Sequence, residues 1–253
     1  MLDDFEFEGP NGTHQCLVFE LLGPSIPDTI DELFVDARLP GKHTKAITKQ
    51  ALLGLYTLHQ HRIGHGDLHT GNLAFTIPCM DSIPEGEFIE MLGKPDIGQV
   101  QRKDGKTLHP GMPEYIVRPA SYTAHSRLLS NPIKIVDFGE SFSHTNVPRT
   151  LHTPLLVRAP EVLFGDRLNY RVGLWSMGCM VSQTTISEAM GSKTTTKIPN
   201  PALQEWLEEL YFESKRHAVL TKKDIVKLGK LVGKLLQFEP GNIAPARAIL
   251  EDP

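Results

Sequence analysis

Residues 65–72 read His-Gly-Asp-Leu-His-Thr-Gly-Asn, directly after an apolar helical pattern. Glycines at 64 and 66 end that helical pattern, so the stretch is predicted to be a loop, which we call the 65–72 loop. Phosphoryl transfer to a hydroxyl needs a carboxylate that accepts the proton and oxygen ligands that hold magnesium against the phosphates. Asp67 and Asn72, five positions apart, fit those two roles.

A second metal ligand is expected at a neighbouring junction between a strand and a loop. Residues 133–136 are an apolar predicted strand that leads directly into Asp137-Phe138-Gly139. Asp137 therefore joins Asn72 as a predicted magnesium ligand. Either motif alone is weak, because a loop aspartate is usually a turn or cap residue.

A third motif determines the class of protein. Arg158-Ala159-Pro160-Glu161 follows the Asp137 motif and is itself followed by Trp175-Ser176-Met177-Gly178. The order of these motifs resembles the large lobe of eukaryotic protein kinases. That resemblance implies a mainly helical α+β fold: a protein-kinase-like large lobe with a remnant of the β-rich small lobe. It also implies an activation segment that includes Phe138, Gly139 and residues 158–161.

The resemblance further implies an ATP site. Residues 17–23, Leu-Val-Phe-Glu-Leu-Leu-Gly, fall where the family has its hinge. Phe19 would then border the back of the adenine pocket, the backbone of Glu20 and Leu22 would bind adenine, and Ala74 would lie beneath it. The implied cofactors are ATP and Mg²⁺.

Within the kinases, the chain most resembles the fungal branch related to SR-protein kinases. The segments that carry this likeness are residues 5–23, 111–119, 135–142 and 228–240. The likeness implies a Ser/Thr kinase acting on protein substrates, namely Arg/Ser-rich splicing factors, and thus a part in the regulation of mRNA splicing.

The chain departs from the family in its ATP-binding parts. Its sequence contains no G-x-G-x-x-G loop and no V-A-I-K lysine. These parts position ATP, and positioning provides most of the catalysis in this reaction. His69, a predicted catalytic residue, stands where the family has a lysine near the γ-phosphate. A neutral histidine would stabilise developing charge less than a lysine.

Three supporting positions also differ from the family. Gly66 replaces the arginine that usually precedes the catalytic aspartate, which argues against switching by an activation-loop phosphate. Gly173 replaces an aspartate that braces the loop. Ile243 stands near the position of an arginine that usually pairs with the Glu161 counterpart, so Glu161 is expected to lack its partner, at a cost in stability.

The predicted organisation is one incomplete kinase domain over residues 1–253. Residues 1–22 form the small-lobe remnant and hinge, and residues 23–253 form the large lobe with a proline-rich insertion at 77–132. A strand hairpin is predicted at 5–7 and 16–19, and paired strands at 73–75 and 133–136. We expect Leu17, Phe19, Leu73 and Phe138 to be partly exposed, because the small lobe would normally cover them.

Several helices are also predicted from periodicity and capping patterns. They cover residues 44–61 and 85–92, a helix headed by Asn200-Pro201, and a helix headed by a Thr221/Asp224 capping box. The last has an apolar side at Ile225, Leu228, Val232, Leu235 and Leu236, with lysines mostly on the other side.

Composition excludes other classes of protein. The 253 residues carry a net charge of −4, which gives no general case for direct contact with nucleic acid or a membrane. No apolar run reaches the roughly 18 residues of a membrane span. Three separated cysteines suggest free thiols in a reducing compartment, so the predicted location is the cytoplasm or nucleus. The scattered histidines lack the spacing of zinc ligands.

Two alternatives to a Ser/Thr protein kinase stay open. The first is a kinase-fold remnant that binds partners without catalysis. The second is a small-molecule kinase of the aminoglycoside or choline type, which the 65–72 loop also resembles. Residues 158–162 and 175–178 argue against this second alternative. If the chain is a kinase, we expect it to be truncated and poorly active.

Overall fold

The computed structural model describes residues 1–34, 39–77, 83–120, 128–186, 203–213 and 220–251. These residues separate into two compact units, each built from two segments of the chain. The first unit comprises Met1–Pro24 and Thr76–Leu128. The second comprises Ser25–Phe75 and Leu129–Pro253.

The strands are short and spread along the chain. The described residues contain β1 (Asp3–Gly9), β2 (Gly12–Val18), β3 (Leu22–Ser25), β4 (Ile63–Gly64), β5 (Leu73–Thr76), β6 (Ile97–Gln99), β7 (Tyr115–Val117), β8 (Ile133–Ile135) and β9 (Phe142–Ser143).

Helices dominate the second unit. The described residues contain α1 (Ile26–Leu33), α2 (Gly41–Gln60), α3 (Glu85–Leu92), α4 (Pro160–Phe164), α5 (Val172–Ile186), α6 (Leu203–Glu213), α7 (Lys222–Leu235) and α8 (Ala246–Leu250). Short 3₁₀ helices cover Thr70–Asn72, Leu128–Ser130, Leu155–Val157 and Pro240–Asn242.

The first unit is built from two hairpins and α3. Strands β1 and β2 pair antiparallel with Gly9 opposite Gly12, so Pro10 and Asn11 form the turn. The amide of Asn11 donates a 3.0 Å hydrogen bond to the carbonyl oxygen of Gly111, which connects this turn to the segment between β6 and β7. Strands β6 and β7 form the second antiparallel hairpin. The predicted hairpin and the predicted helix 85–92 are both confirmed.

Helix α5 lies at the centre of the second unit. It is apolar on all sides rather than on one stripe, a pattern typical of a helix surrounded by protein. Leu174, Met177 and Met180 are buried on it, and the helix contacts α2, α6 and α7. The resulting core is mainly helical, as the sequence predicted.

Helix α2 supplies the other main wall of this core. Its apolar stripe buries Ile47, Ala51, Leu52 and Leu55, and it contacts α5, α8 and β8. The helix begins at Gly41, three residues before the predicted start. It ends at Gln60, because the next residues turn into β4 and the 65–72 loop.

The capping box predicted for α7 is confirmed. Thr221 accepts a hydrogen bond from the Asp224 backbone, and the Asp224 carboxylate accepts one from the Thr221 backbone at 2.9 Å. The Thr221 hydroxyl also donates a 2.6 Å hydrogen bond to the Asp224 carboxylate, and this bond, followed by the bond from the Thr221 backbone, lowers the pKa of Asp224. Ile225, Val232 and Leu235 are buried, as the apolar pattern predicted. The predicted Asn200-Pro201 start of α6 lies outside the described residues.

The strands β5 and β8 pair antiparallel, with Leu73 opposite Ile135 and Phe75 opposite Ile133, which confirms the predicted pairing. The expectation that Leu73 is partly exposed is wrong, since only 2% of its surface is accessible. It lines a small apolar cavity with Ile26, Ile47 and Met177, so helices α1, α2 and α5 cover it.

Three other residues expected to be exposed are exposed. The accessible fractions are 51% for Leu17, 62% for Phe19 and 47% for Phe138. Cys16 and Cys179 are free thiols, and Cys79 lies outside the described residues. Among the helices that the structure describes, none has the length and hydropathy needed to cross a bilayer.

Candidate active site

The pairing of β5 with β8 brings together two of the predicted functional motifs. Asn72 directly precedes β5, and Asp137 lies two residues after β8. The backbone N–H of Val136 donates a 3.0 Å hydrogen bond to the carbonyl oxygen of Asn72, one position beyond the strand pairing. Asn72 and Asp137 are therefore held at the same end of this strand pair.

Asp67 and Asn72 are in direct contact. The Asn72 amide nitrogen donates to the Asp67 carbonyl oxygen at 2.8 Å and approaches the Asp67 carboxylate at 3.5 Å. The Asp67 Oδ1 atom is buried and has no hydrogen-bond partner among the described residues. A buried carboxylate oxygen without a partner costs free energy, which is usually offset where the group has a functional role. The Asp67 side chain as a whole keeps an accessible fraction of 21%, so its accessible surface lies away from Oδ1.

His65 fixes the backbone on both sides of this contact. Its Nδ1 accepts a 3.3 Å hydrogen bond from the Asp67 backbone N–H, so its Nε2 carries the proton and donates to the Val136 carbonyl oxygen at 3.0 Å. Burial lowers the pKa of His65, which favours this neutral form. The Phe138 ring lies 4.9 Å from the imidazole. His65 thus links the 65–72 loop to the Asp137 motif.

His69 points toward the same carboxylate. Its Nδ1 accepts a 3.1 Å hydrogen bond from the Gly71 backbone, so its Nε2 carries a proton and lies 3.6 Å from Asp67 Oδ2. The imidazole is therefore positioned as a donor beside Asp67. At 3.6 Å the interaction is weak in the neutral state, since well-formed bonds of this type are shorter.

Asp137 has an unusual backbone conformation. Its φ is 62°, in the left-handed region that Asp tolerates better than most residues. Its Oδ1 accepts a 3.2 Å hydrogen bond from the Gly139 backbone, and the residue is exposed. The local bond holds the carboxylate at a fixed orientation where a cation could reach it.

The oxygens of Asn72 and Asp137 fit a magnesium ion. Magnesium prefers oxygen ligands and is commonly held by one or two side chains together with phosphate oxygens. The amide nitrogen of Asn72 already binds Asp67, which leaves its amide oxygen for a cation. No cluster of three or more His, Cys, Asp or Glu side chains suited to a metal occurs in the part of the chain that the structure describes.

The remaining predicted site residues fall in two places. Ala74 is buried in β5, in the second unit. Phe19, Glu20 and Leu22 lie in the first unit, where Phe19 and Glu20 are exposed and Leu22 begins β3.

Residues 158–161 lead into and begin α4. Ala159 and Glu161 are buried, and the Arg158 Nε donates a 2.7 Å hydrogen bond to the Thr153 carbonyl oxygen. Both carboxylate oxygens of Glu161 are buried without a hydrogen-bond partner among the described residues, and burial raises the pKa of Glu161. Ile243, which stands near the position of the usual arginine, is buried and apolar.

Gly66 and Gly173 are glycines for steric reasons. Gly66 has a φ of +83°, and a Cβ there would lie 2.2 Å from the Glu140 carbonyl oxygen. An arginine at this position would require the backbone to move. A Cβ on Gly173 would lie 3.1 Å from Leu55 and 3.8 Å from Leu68, so an aspartate would enter an apolar contact.

Thr153 is a residue that the sequence analysis missed. Its hydroxyl is buried and donates a 2.7 Å hydrogen bond to the Gly66 carbonyl oxygen. A single threonine between the Asp137 motif and Arg158 carries no local pattern that distinguishes it from other loop hydroxyls. The role of Thr153 depends on its contact with Gly66, 87 positions earlier in the chain, and only the fold reveals that contact.

Comparison with known proteins identifies related chains, although no protein-family model matches. The chain is 26% identical over 300 residues to the serine/threonine-protein kinase SRPK of Physarum polycephalum, covering 100% of this chain and 70% of that kinase. It is 24% identical to human dual specificity protein kinase CLK1, covering 100% of this chain and 51% of CLK1. It is 29% identical to Arabidopsis thaliana serine/threonine-protein kinase AFC1, covering 70% of this chain and 32% of AFC1.

A solved structure also resembles the fold. The crystal structure of the kinase domain of PF14_0431 matches with a TM-score of 0.55 and 20% identity, over 94% of this chain and 72% of that domain. At this identity, the match supports the kinase fold alone. Apart from the Physarum kinase, the chain spans about half or less of the relatives named above.

Proposed function

We propose that the chain is an ATP-dependent Ser/Thr protein kinase, because it is similar to SR-protein-kinase-like kinases and has a kinase fold. The observation that carries the proposal is the contact of Asp67 with Asn72, which holds an Asp67 carboxylate whose side chain is still 21% accessible. A carboxylate held in this way can accept the proton of a substrate hydroxyl.

Asn72 and Asp137 would hold magnesium with the phosphates of ATP. When bound, the ion neutralises charge on those phosphates. The protein's own part is positional: the bond from Val136 to Asn72 fixes the two ligands, and His65 fixes Asp67 relative to them. The adenine contacts of Phe19, Glu20, Leu22 and Ala74 stay a prediction.

His69 would take the place of the family's lysine near the transferred phosphate. Its Nε2–H can donate one hydrogen bond, and the ring carries a full charge only when protonated. It would therefore stabilise the developing negative charge less than a lysine would. Together with the absence of a glycine-rich loop and a V-A-I-K lysine from these 253 residues, this predicts weak ATP binding and poor turnover.

The proposed substrates are proteins with Arg/Ser-rich segments, as in splicing factors, and the proposed location is the cytoplasm or nucleus. The substrate class is what the resemblance to SR-protein kinases implies, and the location follows from the three separated cysteines. We propose no direct contact with nucleic acid and none with a membrane.

A non-catalytic binding module is the second candidate function. Glu161 favours it, because its buried carboxylate has lost the partner that the family uses to support the activation segment. In that case the 65–72 loop would retain its fold without serving turnover.

Calorimetry of ATP binding tests the proposed function. We expect weak binding that disappears without magnesium and weakens at least about tenfold in Asp137→Ala, a change of about 1.4 kcal/mol. Asp31→Ala, at an exposed position of α1, is the matched control and should bind as the unmodified chain does. Tight binding without magnesium, or binding unaffected by Asp137→Ala, would contradict the proposal.

A further inference from the structure

The first unit lacks a buried apolar core in the parts that the structure describes. Among the side chains that the structure describes, every buried apolar one belongs to the second unit. Large apolar side chains of the first unit are instead exposed, including Phe5 and Phe7 on β1, with accessible fractions of 52% and 57%. A two-stranded hairpin is at best marginally stable by itself in water. The hairpin of β1 and β2 therefore presents an apolar surface that another polypeptide can cover.

The two faces of this hairpin differ in chemistry. Side chains alternate between the faces of a strand, so Phe5 and Phe7 share one face of β1. The opposite face of β1 carries Asp4, Glu6 and Glu8, all of them exposed. The cross-strand neighbours of these three acidic residues are Leu17, Gln15 and Thr13, which are uncharged. The β2 side chains beside this acidic face therefore do not neutralise its charge.

The outer edge of β1 is open. Among the described residues, β1 pairs with β2 alone, so half of its backbone groups face away from any strand. An unpaired edge of this kind accepts an added strand from another chain. Residues 1–24 contain five acidic side chains and no lysine or arginine, and four of the five lie on β1, so this edge is negatively charged.

We propose that the outer edge of β1 binds an extended segment of another protein in which apolar and basic residues alternate. The side chains of an added strand also alternate between the two faces. Its apolar residues would extend the face of Phe5 and Phe7, and its lysines or arginines would lie beside Asp4, Glu6 and Glu8. Opposite charges at such cross-strand positions are favourable.

Charge disfavours a second copy of this chain as the occupant. Pairing β1 with another β1 would place Asp4, Glu6 and Glu8 beside acidic residues of the same kind, and like charges on facing strands are destabilising. The proposal uses only the first unit, so it stands or fails independently of the proposed kinase activity.

Fluorescence anisotropy with two labelled peptides tests the proposal. The first peptide is (Lys-Val-Arg-Val)₂, and the second has the same composition with its valines grouped together. We expect the alternating peptide to bind and the grouped peptide to bind at least about fivefold more weakly. Glu6→Lys and Phe5→Ser should each weaken binding of the alternating peptide to a similar extent. Glu239→Lys, an exposed charge reversal in the second unit, should leave binding unchanged.

Amide hydrogen exchange locates the bound peptide and monitors folding. We expect the alternating peptide to slow exchange over Asp3–Gly9, and a variant whose hairpin has unfolded will exchange fast before peptide is added. If both peptides bound with equal affinity, charge alone would account for their binding and the alternation of side chains would not matter. That result would overturn the proposal. Unchanged exchange over Asp3–Gly9 would overturn it as well. A dimer that protects Asp3–Gly9 without peptide would overturn it in favour of a second copy.

Discussion

The hydroxyl of Thr153 donates a 2.7 Å hydrogen bond to the carbonyl oxygen of Gly66, the residue directly before Asp67. Both residues are buried, and Arg158 in turn donates a 2.7 Å hydrogen bond to the Thr153 carbonyl oxygen. Ser176 on α5 donates to the Val157 carbonyl oxygen at 2.8 Å. The segment before α4 is therefore hydrogen-bonded both to the 65–72 loop and to the central helix α5.

Replacing Thr153 with valine should destabilise the protein. The change keeps the shape of the side chain but leaves the buried Gly66 carbonyl oxygen without this donor, which typically costs about 1–3 kcal/mol. Urea unfolding measures the loss. Thr153→Ser keeps the hydroxyl and should lose less than Thr153→Val. Equal stability of Thr153→Val and the unmodified chain would show that the bond does not hold the loop.

Gly66→Ala should be more destabilising than Gly165→Ala. Both glycines have a positive φ, +83° and +72°, so both substitutions place alanine in a left-handed conformation that costs about 1–2 kcal/mol. A Cβ at Gly165 meets nothing within 4 Å, whereas a Cβ at Gly66 would lie 2.2 Å from the Glu140 carbonyl oxygen.

The difference between these two alanine variants isolates the steric conflict at Gly66. We expect Gly66→Ala to lose at least about 1 kcal/mol more free energy of unfolding than Gly165→Ala. Gly66→Arg, which restores the family's usual residue, should be at least as destabilised as Gly66→Ala. A Gly66→Arg variant as stable as the unmodified chain would show that the loop adapts to the arginine.

Glu161 should make the protein less stable as pH rises. Burial raises the pKa of its carboxyl group, and nearby Asp166 raises it further. The unfolded chain therefore ionises Glu161 at a lower pH than the folded chain does. Below the pKa of about 4.3 that glutamate has in the unfolded chain, Glu161 is protonated in both states and its ionisation does not destabilise the fold. Above that pH the destabilisation grows, and it is complete once the pH exceeds the raised pKa of the folded chain.

Glu161→Gln removes this titration. We expect the variant to be more stable than the unmodified chain at pH 7 to 8, with the difference shrinking toward pH 4. Urea unfolding across that range gives the difference, and Glu239→Gln, at an exposed position, is the control. A constant difference between Glu161→Gln and the unmodified chain at all pH values would mean that Glu161 finds a compensating partner.

The strand pairing that positions the candidate site could be predicted because its signals are local. Asp67, Asn72 and Asp137 stand beside predicted strands, and the pairing of β5 with β8 follows from two short apolar runs. Periodicity likewise predicted the burial of Ile225 and Val232 on α7.

The missed features depend on contacts between distant residues. Leu73 was expected to be exposed, but α1, α2 and α5 cover it, and their arrangement has no local signal at that residue. The roles of Thr153 and of the left-handed Gly66 also depend on the approach of residues 140–153 to the 65–72 loop. Tertiary packing determines these features, and the sequence around each residue does not.

A phosphoryl-transfer assay tests the central claim most directly. Radiolabelled ATP and an Arg/Ser-rich peptide are incubated with the chain alone, and with the chain supplied with the small lobe of the Physarum kinase. We expect transfer near background for the chain alone, where Asp67→Asn changes little, because no glycine-rich loop or strand lysine aligns the γ-phosphate. With the small lobe present, we expect transfer that Asp67→Asn abolishes. Transfer that survives Asp67→Asn would contradict the assignment of Asp67 as the base, and no transfer with the small lobe would favour the non-catalytic binding module.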